Sequence, residues 1–207
     1  MMKKLGAFIL VISLLLTLLV GCDRDYDEDE VKSAATELLE KSILVNEIFY
    51  GEGIPYNKSS YLTNGIYSPA KASYLSSIGV SSTEDIKSLA REVYTEGLCE
   101  IIFETKFSSI KDSEGNIKVY RRYYDYTSDG VSYIMANTEK NAVIYDNDVE
   151  YLYETLTVLG ADGEYINIEV DVLLTNPVGQ KRTATVELKL LEEDNGFRLD
   201  TWSYVKF

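Results

Sequence analysis

Not one of the 207 residues is a histidine. That removes the usual general base at neutral pH, the Ser-His and Cys-His nucleophile systems and the common zinc sites. An enzyme built from this chain is left with carboxylate-only chemistry of the glycosidase kind, and nothing singles out a pair among its 34 acids. Proline is down to three residues and tryptophan to one, Trp202. Positive charge is short as well: 20 Lys and Arg stand against 34 Asp and Glu. Such a surface repels phosphate backbones, so nucleic acid is excluded as a partner. Anionic wall polymers are repelled too unless a cation bridges them. Beyond residue 21 there is no long apolar run.

The one such run lies at the start. Lys3 and Lys4 precede sixteen apolar or small residues, 5–20. A charged start, a hydrophobic centre and a small residue at the cleavage point make a secretory signal. A helix needs roughly 20 apolar residues to span a bilayer, so the run is short for a permanent span. It ends in Leu19-Val20-Gly21-Cys22, which resembles the bacterial lipobox. The resemblance implies cleavage before Cys22, a thioether-linked lipid on it and acylation of the new amino terminus; two or more acyl chains anchor stably where one is marginal. Asp23 at the second position resembles the inner-membrane retention signal of two-membrane bacteria. The expected location is therefore the outer face of the cytoplasmic membrane, held by lipid. The expected organisation is a signal at 1–21, lipidated Cys22 with an acidic tether at 22–30, and one domain over 31–207.

Lys3 and Lys4 are the only charges before Cys22, so the chain from Cys22 onward carries 18 basic and 34 acidic residues. With Cys22 lipidated, Cys99 has no partner, and no disulfide framework exists. Its apolar neighbours Leu98, Ile101, Ile102 and Phe103 mark it as a small buried hydrophobe. The acidic run 23–30 lacks the turning glycine and ligand spacing of a calcium loop. It reads as a solvated tether that also brings negative charge to a helix N-terminus.

From about 30 to 50, Val31, Ala34, Ala35, Leu38, Val45 and Phe49 keep helical spacing, interrupted by Ser42. Residues 51–80 differ in kind, punctuated by Gly and Pro, with Tyr56, Tyr61, Tyr67 and Tyr74 in a Ser-rich background. They read as a long ordered loop, with its tyrosines either anchoring it or forming a lid or binding surface. Ser82 with Asp85 announces a helix N-terminus. A second short helix is expected over 98–104. Beyond Phe107 the period falls to two. A strand over 118–126 turns at Ser128-Asp129-Gly130 and returns over 131–137. The spacing Asp125, Thr127, Asp129, Gly130 imitates a calcium loop, but Ala136 stands where its last carboxylate belongs, so no metal site is expected. Ile166, Ile168, Val170 and Val172, then Ala184, Val186, Leu188 and Leu190, alternate with polar residues as half-buried antiparallel strands.

Helices followed by a long antiparallel meander define an α+β class, with N-terminal helices packed on a curved antiparallel sheet. The order resembles the cystatin-like and nuclear-transport-factor-two-like folds. From about Tyr67 to Phe207, the Tyr-rich loop, Asp85-Ile86-Lys87-Ser88-Leu89, Val93-Tyr94-Thr95 and the closing Phe197-Arg198-Leu199-Asp200 also resemble IseA-type inhibitors of cell-wall DL-endopeptidases. That likeness implies a non-catalytic protein that binds a peptidoglycan hydrolase.

Two residue sets are candidates for binding. Tyr120, Arg122, Tyr124 and Tyr126 would share one strand face, either as interface anchors or as cross-strand pairs that stabilise a sheet. Trp202 and Tyr204 have opposite parity to Phe197, Leu199 and Val205. They should face away from that row, covered by a second layer or by the 51–80 loop, or exposed and functional. Tyr56, Tyr61 and Tyr67 complete the candidates. The expected function is a membrane-anchored, cofactor-free binding module of the cell envelope, acting on a cell-wall hydrolase or wall fragment. A tyrosine-lined pocket for a small ligand is the alternative, and a carboxylate-only hydrolase a third reading.

Overall fold

The computed structural model describes residues 26–58, 65–139 and 147–207. Cys22 and Tyr61 lie outside the described residues. Helix α1 spans Glu28–Phe49, so the last three residues of the acidic run are helical. The Asp27 carboxylate caps it, accepting from the Asp29 and Glu30 amides at 3.0 and 3.2 Å. Glu28, Asp29 and Glu30 fill its first turn, where the exposed amides favour negative charge. Val31, Ala35, Leu38, Leu39, Val45, Ile48 and Phe49 form its buried stripe. Ser42 does not interrupt the stripe. It is fully buried, and its hydroxyl donates to the Leu39 carbonyl at 2.8 Å, which removes the cost of burying it.

The segment expected as one long loop contains strand β1, Tyr67–Pro69, and helix α2, Ala72–Ser77. A three-residue strand is too short to show alternation, and its partner lies far along the chain. Helix α3, Thr83–Arg91, opens with the expected capping box, Ser82 and Asp85 reaching each other's backbone amides. Helix α4, Glu96–Phe107, extends beyond the expected 98–104 at both ends.

The strand expected over 118–126 is broken. Strands β2, Ile110–Lys111, and β3, Ile117–Val119, make a small ribbon, and β4 begins only at Tyr123, running to Ser128. A two-residue turn with positive φ at Asp129 (52°) and Gly130 (77°) leads into β5, Val131–Asn137. This is the tight hairpin geometry whose twist matches that of paired strands. Strands β1, β5 and β4 form one sheet in that order.

The larger sheet has the order β6, β7, β8, β9: Asp148–Asp162, Tyr165–Thr175, Lys181–Glu193 and Gly196–Leu199. All its pairs are antiparallel. Register shifts in β6 after Leu152 and after Val158 bend it. Ile166, Ile168, Val170, Val172 and Leu174 of β7 are all buried, as period-two alternation requires. Helix α1 lies against β6 and β9. The stretch 93–95 joins the edge of β9, with Leu199 donating to Val93 at 2.8 Å and Thr95 donating to Leu199 at 3.0 Å. The architecture is α+β, helices followed by antiparallel sheets that do not close into a barrel.

One core runs through both sheets. Tyr123, Ile134 and Ala136 of the small sheet share it with α1 and β7. A buried polar knot sits within it. The Tyr94 hydroxyl donates to Asn46 Oδ1 at 2.6 Å, Asn46 Nδ2 donates to Ser203 Oγ at 2.9 Å, and Ser203 returns a bond to Tyr94 at 2.8 Å. Among the described residues no buried side-chain nitrogen or oxygen is left without a partner.

Candidate functional site

The small sheet has two faces with different chemistry. Pairing puts Tyr123, Asp125, Ile134, Ala136 and Ser68 on the side of the core. The opposite side carries Tyr67, Tyr124, Tyr126, Tyr133 and Met135. Tyr67 and Tyr124 flank β5, and their rings meet edge to face at 4.8 Å. Met135, paired with Pro69 on one side and Tyr124 on the other, is fully buried between them. Tyr120, in the connection before β4, adds a third ring 6.3 Å from Tyr67. The Arg121 guanidinium lies 4.2 Å from the Tyr124 ring centroid, and its backbone carbonyl accepts the Tyr67 hydroxyl at 2.9 Å. Burial holds the Tyr67 phenol above its ordinary pKa, so it stays a donor. Past this anchored end, Tyr126 and Tyr133 sit directly opposite each other, 39% and 38% exposed, next to Val131 at 50%.

The structure therefore brings together Tyr67, Tyr120, Tyr124 and Tyr126 of the sequence candidates. Arg122 does not belong with them. It is buried, and turns to the core side, where Nη2 donates to the Gly51 carbonyl at 2.6 Å and Nε to Tyr123 Oη at 3.1 Å. Tyr123 in turn donates to the Ile48 carbonyl at 2.8 Å. The end of α1 leaves carbonyls with no helical donor, and these two side chains supply them. Strand β4 begins at Tyr123, so strand alternation does not extend back to residues 120–122. Two site residues were missed: Arg121 and Tyr133. The Asp129-Gly130 turn carried the signal for Tyr133, since a two-residue hairpin there sets Tyr126 against it.

Tyr56 is half-buried against the core and forms an isolated bridge with Ala70, away from the tyrosine face. Trp202 and Tyr204 also belong elsewhere. Strand β9 ends at Leu199, so parity no longer applies, and both pack against the core beside α1. Tyr50 meets Trp202 at 5.6 Å and Tyr204 at 4.5 Å, and Tyr94 meets Trp202 at 5.6 Å. These rings pack against the partly buried Trp202 and Tyr204. Lys106 Nζ sits 4.7 Å from the Tyr50 ring centroid; desolvation, with the nearby Arg122, lowers its pKa to about 8.

Asp125 joins two elements. Its carboxylate accepts the Thr83 amide at 2.9 Å and the Thr83 hydroxyl at 2.6 Å, tying β4 to the start of α3. Among the described residues no group of three or more acidic or cysteine side chains is gathered as a metal would need. Cys99 is buried as expected, and desolvation pushes its thiol up to about 11. A cleft of about 310 Å³ opens between α1, β6 and the C-terminal segment, lined in part by Asn46, Glu47, Asp148, Tyr151 and Tyr204.

No family model matches this chain, and no curated protein matches it. Among solved structures, the crystal structure of the iota-carbonic anhydrase from a cyanobacterium, complexed with bicarbonate, aligns with 87% of this chain and 92% of its own. The identity is 12% and the TM-score 0.31. So slight a likeness supports no inference about fold or activity.

Proposed function

We propose that this protein is a lipoprotein of the cell envelope, held by Cys22 on the outer face of the cytoplasmic membrane, and that it is a non-catalytic binding module. Its partner is a protein of the envelope, with peptidoglycan hydrolases as the first class to examine. The observation that supports this most is the exposed pair Tyr126 and Tyr133, opposite each other on β4 and β5 and backed by the packed Tyr67, Tyr124 and Arg121. Tyrosine and arginine on a rigid support are the usual anchors of protein interfaces, because they contribute large contact area with little entropy left to lose. A sheet face with Met135 packed between its tyrosines, and held from behind by the Asp125–Thr83 bonds, offers such a support.

The test uses the full chain, solubilised in detergent, immobilised and exposed to envelope extract and to purified peptidoglycan fragments. A cell-wall hydrolase should be retained, and its activity should fall on mixing. Tyr126→Ala with Tyr133→Ala should weaken retention at least tenfold while leaving the melting temperature within a few degrees. Retention of fragments alone, with no protein, would sink the inhibitor reading. It would promote the small-ligand reading instead, for which the 310 Å³ cleft beside Tyr151 and Tyr204 is the structural support.

A further inference from the structure

A second cleft, of about 420 Å³, lies on a different part of the molecule, between helices α3 and α4 and the β8–β9 hairpin. Its volume falls within the roughly 300–1,000 Å³ of small-molecule sites. Charges of both signs line it: Arg91 and Arg198 on one hand, Glu96, Glu100 and Glu193 on the other. No salt bridge among the described residues joins these opposite charges to each other. Arg91 turns instead to Glu84 on its own helix, at 2.6 Å, with its guanidinium 5.0 Å from the Phe103 ring centroid. Arg198 is fixed by backbone alone, donating Nε to the Arg91 carbonyl at 2.8 Å and Nη1 to the Phe197 carbonyl at 2.7 Å. Its Nη2 has no protein acceptor among the described residues.

The buried Cys99 lines the same cleft, between the charged side chains of α4 and those of the hairpin. Opposite charges that share a cleft without pairing are arranged to receive opposite charges on something else. A guanidinium pinned through two of its nitrogens is preorganised, so little entropy is lost when the third takes a carboxylate. The glutamates suit an ammonium group, and Phe103 supplies an apolar wall.

We propose that this cleft binds a small zwitterion, an amino acid or short peptide with free amino and carboxyl groups. Arg198 takes the carboxylate, and Glu193 with Glu96 takes the ammonium. The site is independent of the tyrosine face and stands or falls separately from it.

Titration calorimetry on the full chain in detergent tests this with four probes: a free amino acid, a dipeptide with both ends free, and the same dipeptide N-acetylated or C-amidated. The free-ended dipeptide should bind, and blocking either end should weaken it tenfold or more. Binding of the free amino acid as well would set the ligand at single-residue size; its failure beside a binding dipeptide would set it at peptide size. Glu193→Gln, at an exposed side chain, should narrow the gap between free and acetylated dipeptide while the melting temperature holds. Arg198→Met should do the same for the amidated form. If neither free-ended probe binds, or the blocked forms bind as tightly, the assignment is wrong.

Discussion

Gly53 shows how much one position without a side chain can decide. Its φ is +84°, and a β-carbon there would stand 2.5 Å from Arg122 Nη2 and 2.6 Å from Tyr123 Oη, the two groups that satisfy the end of α1. Gly53→Ala should cost about 2–4 kcal/mol, adding steric displacement of buried hydrogen bonds to the strain of a left-handed backbone. Gly79 has φ +70° and nothing within 4 Å of the same β-carbon, so Gly79→Ala should cost only the backbone share, about 1–2 kcal/mol. Urea melts of the two variants separate the contributions. Lys106 carries a different lesson. Its folded pKa of about 8 lies below the ordinary 10.5, so the unfolded chain binds the extra proton between those values. The burden of the buried ammonium is complete below pH 8 and is relieved as pH rises toward 10.5. Lys106→Met should therefore be more stable than the parent at pH 7, with the gap closing between pH 8 and 10.5; a gap that stays constant would refute the assignment.

Among the elements, α3 has the most legible beginning. The Asp85 carboxylate accepts the Ser81 hydroxyl and the Ser81 and Ser82 amides, which holds its pKa below the ordinary 3.8. A carboxyl depressed in the folded state contributes stability above its unfolded pKa and loses it as pH falls through the folded one. The parent should thus lose stability faster than Asp85→Asn as pH drops below 3.8, read by circular dichroism melts at successive pH values. Period-two alternation marked β7 and β8 equally well, because each presents one face to a continuous core. The same rule misled at residues 118–126, where the even positions Tyr120, Arg122, Tyr124 and Tyr126 suggest one continuous strand face that the chain does not form. The ends of α1 and β4 meet there, and the need of Gly51 and Ile48 for donors pulls Arg122 and Tyr123 inward.

For the molecule as a whole, the address and the body are separate questions. No helix among the described residues is long and apolar enough to cross a membrane. The proposal that Cys22 carries the lipid is tested by Cys22→Ser, which should move the protein from the membrane fraction to the soluble one and remove the mass of the acyl groups in intact-mass spectra. Unchanged fractionation would refute it. The acidic balance of the chain from Cys22 onward, 18 basic residues against 34 acidic, concentrates interest on arginines that lie outside the core beside an aromatic ring, among the described residues Arg121 on Tyr124, Arg91 on Phe103 and Arg182 on Phe207.

Local and periodic features were readable from the amino-acid order alone. They include the α+β class, the buried stripe of α1, the Ser82–Asp85 cap, the Asp129-Gly130 turn, the alternation of β7 and β8 and the burial of Cys99. Each depends on neighbours within a few residues or on a repeating pattern. Tertiary structure decided what depends on distant partners. A three-residue β1 exists only because β5 lies beside it, and Trp202 and Tyr204 find ring partners only because Tyr50 follows directly on the end of α1. Arg122 leaves the tyrosine face and Arg121 joins it because the Gly51 carbonyl, just past the end of α1, takes its donor from Arg122 across 71 residues. Which of two adjacent arginines meets solvent is a question about that helix end, and spacing along the strand does not contain it.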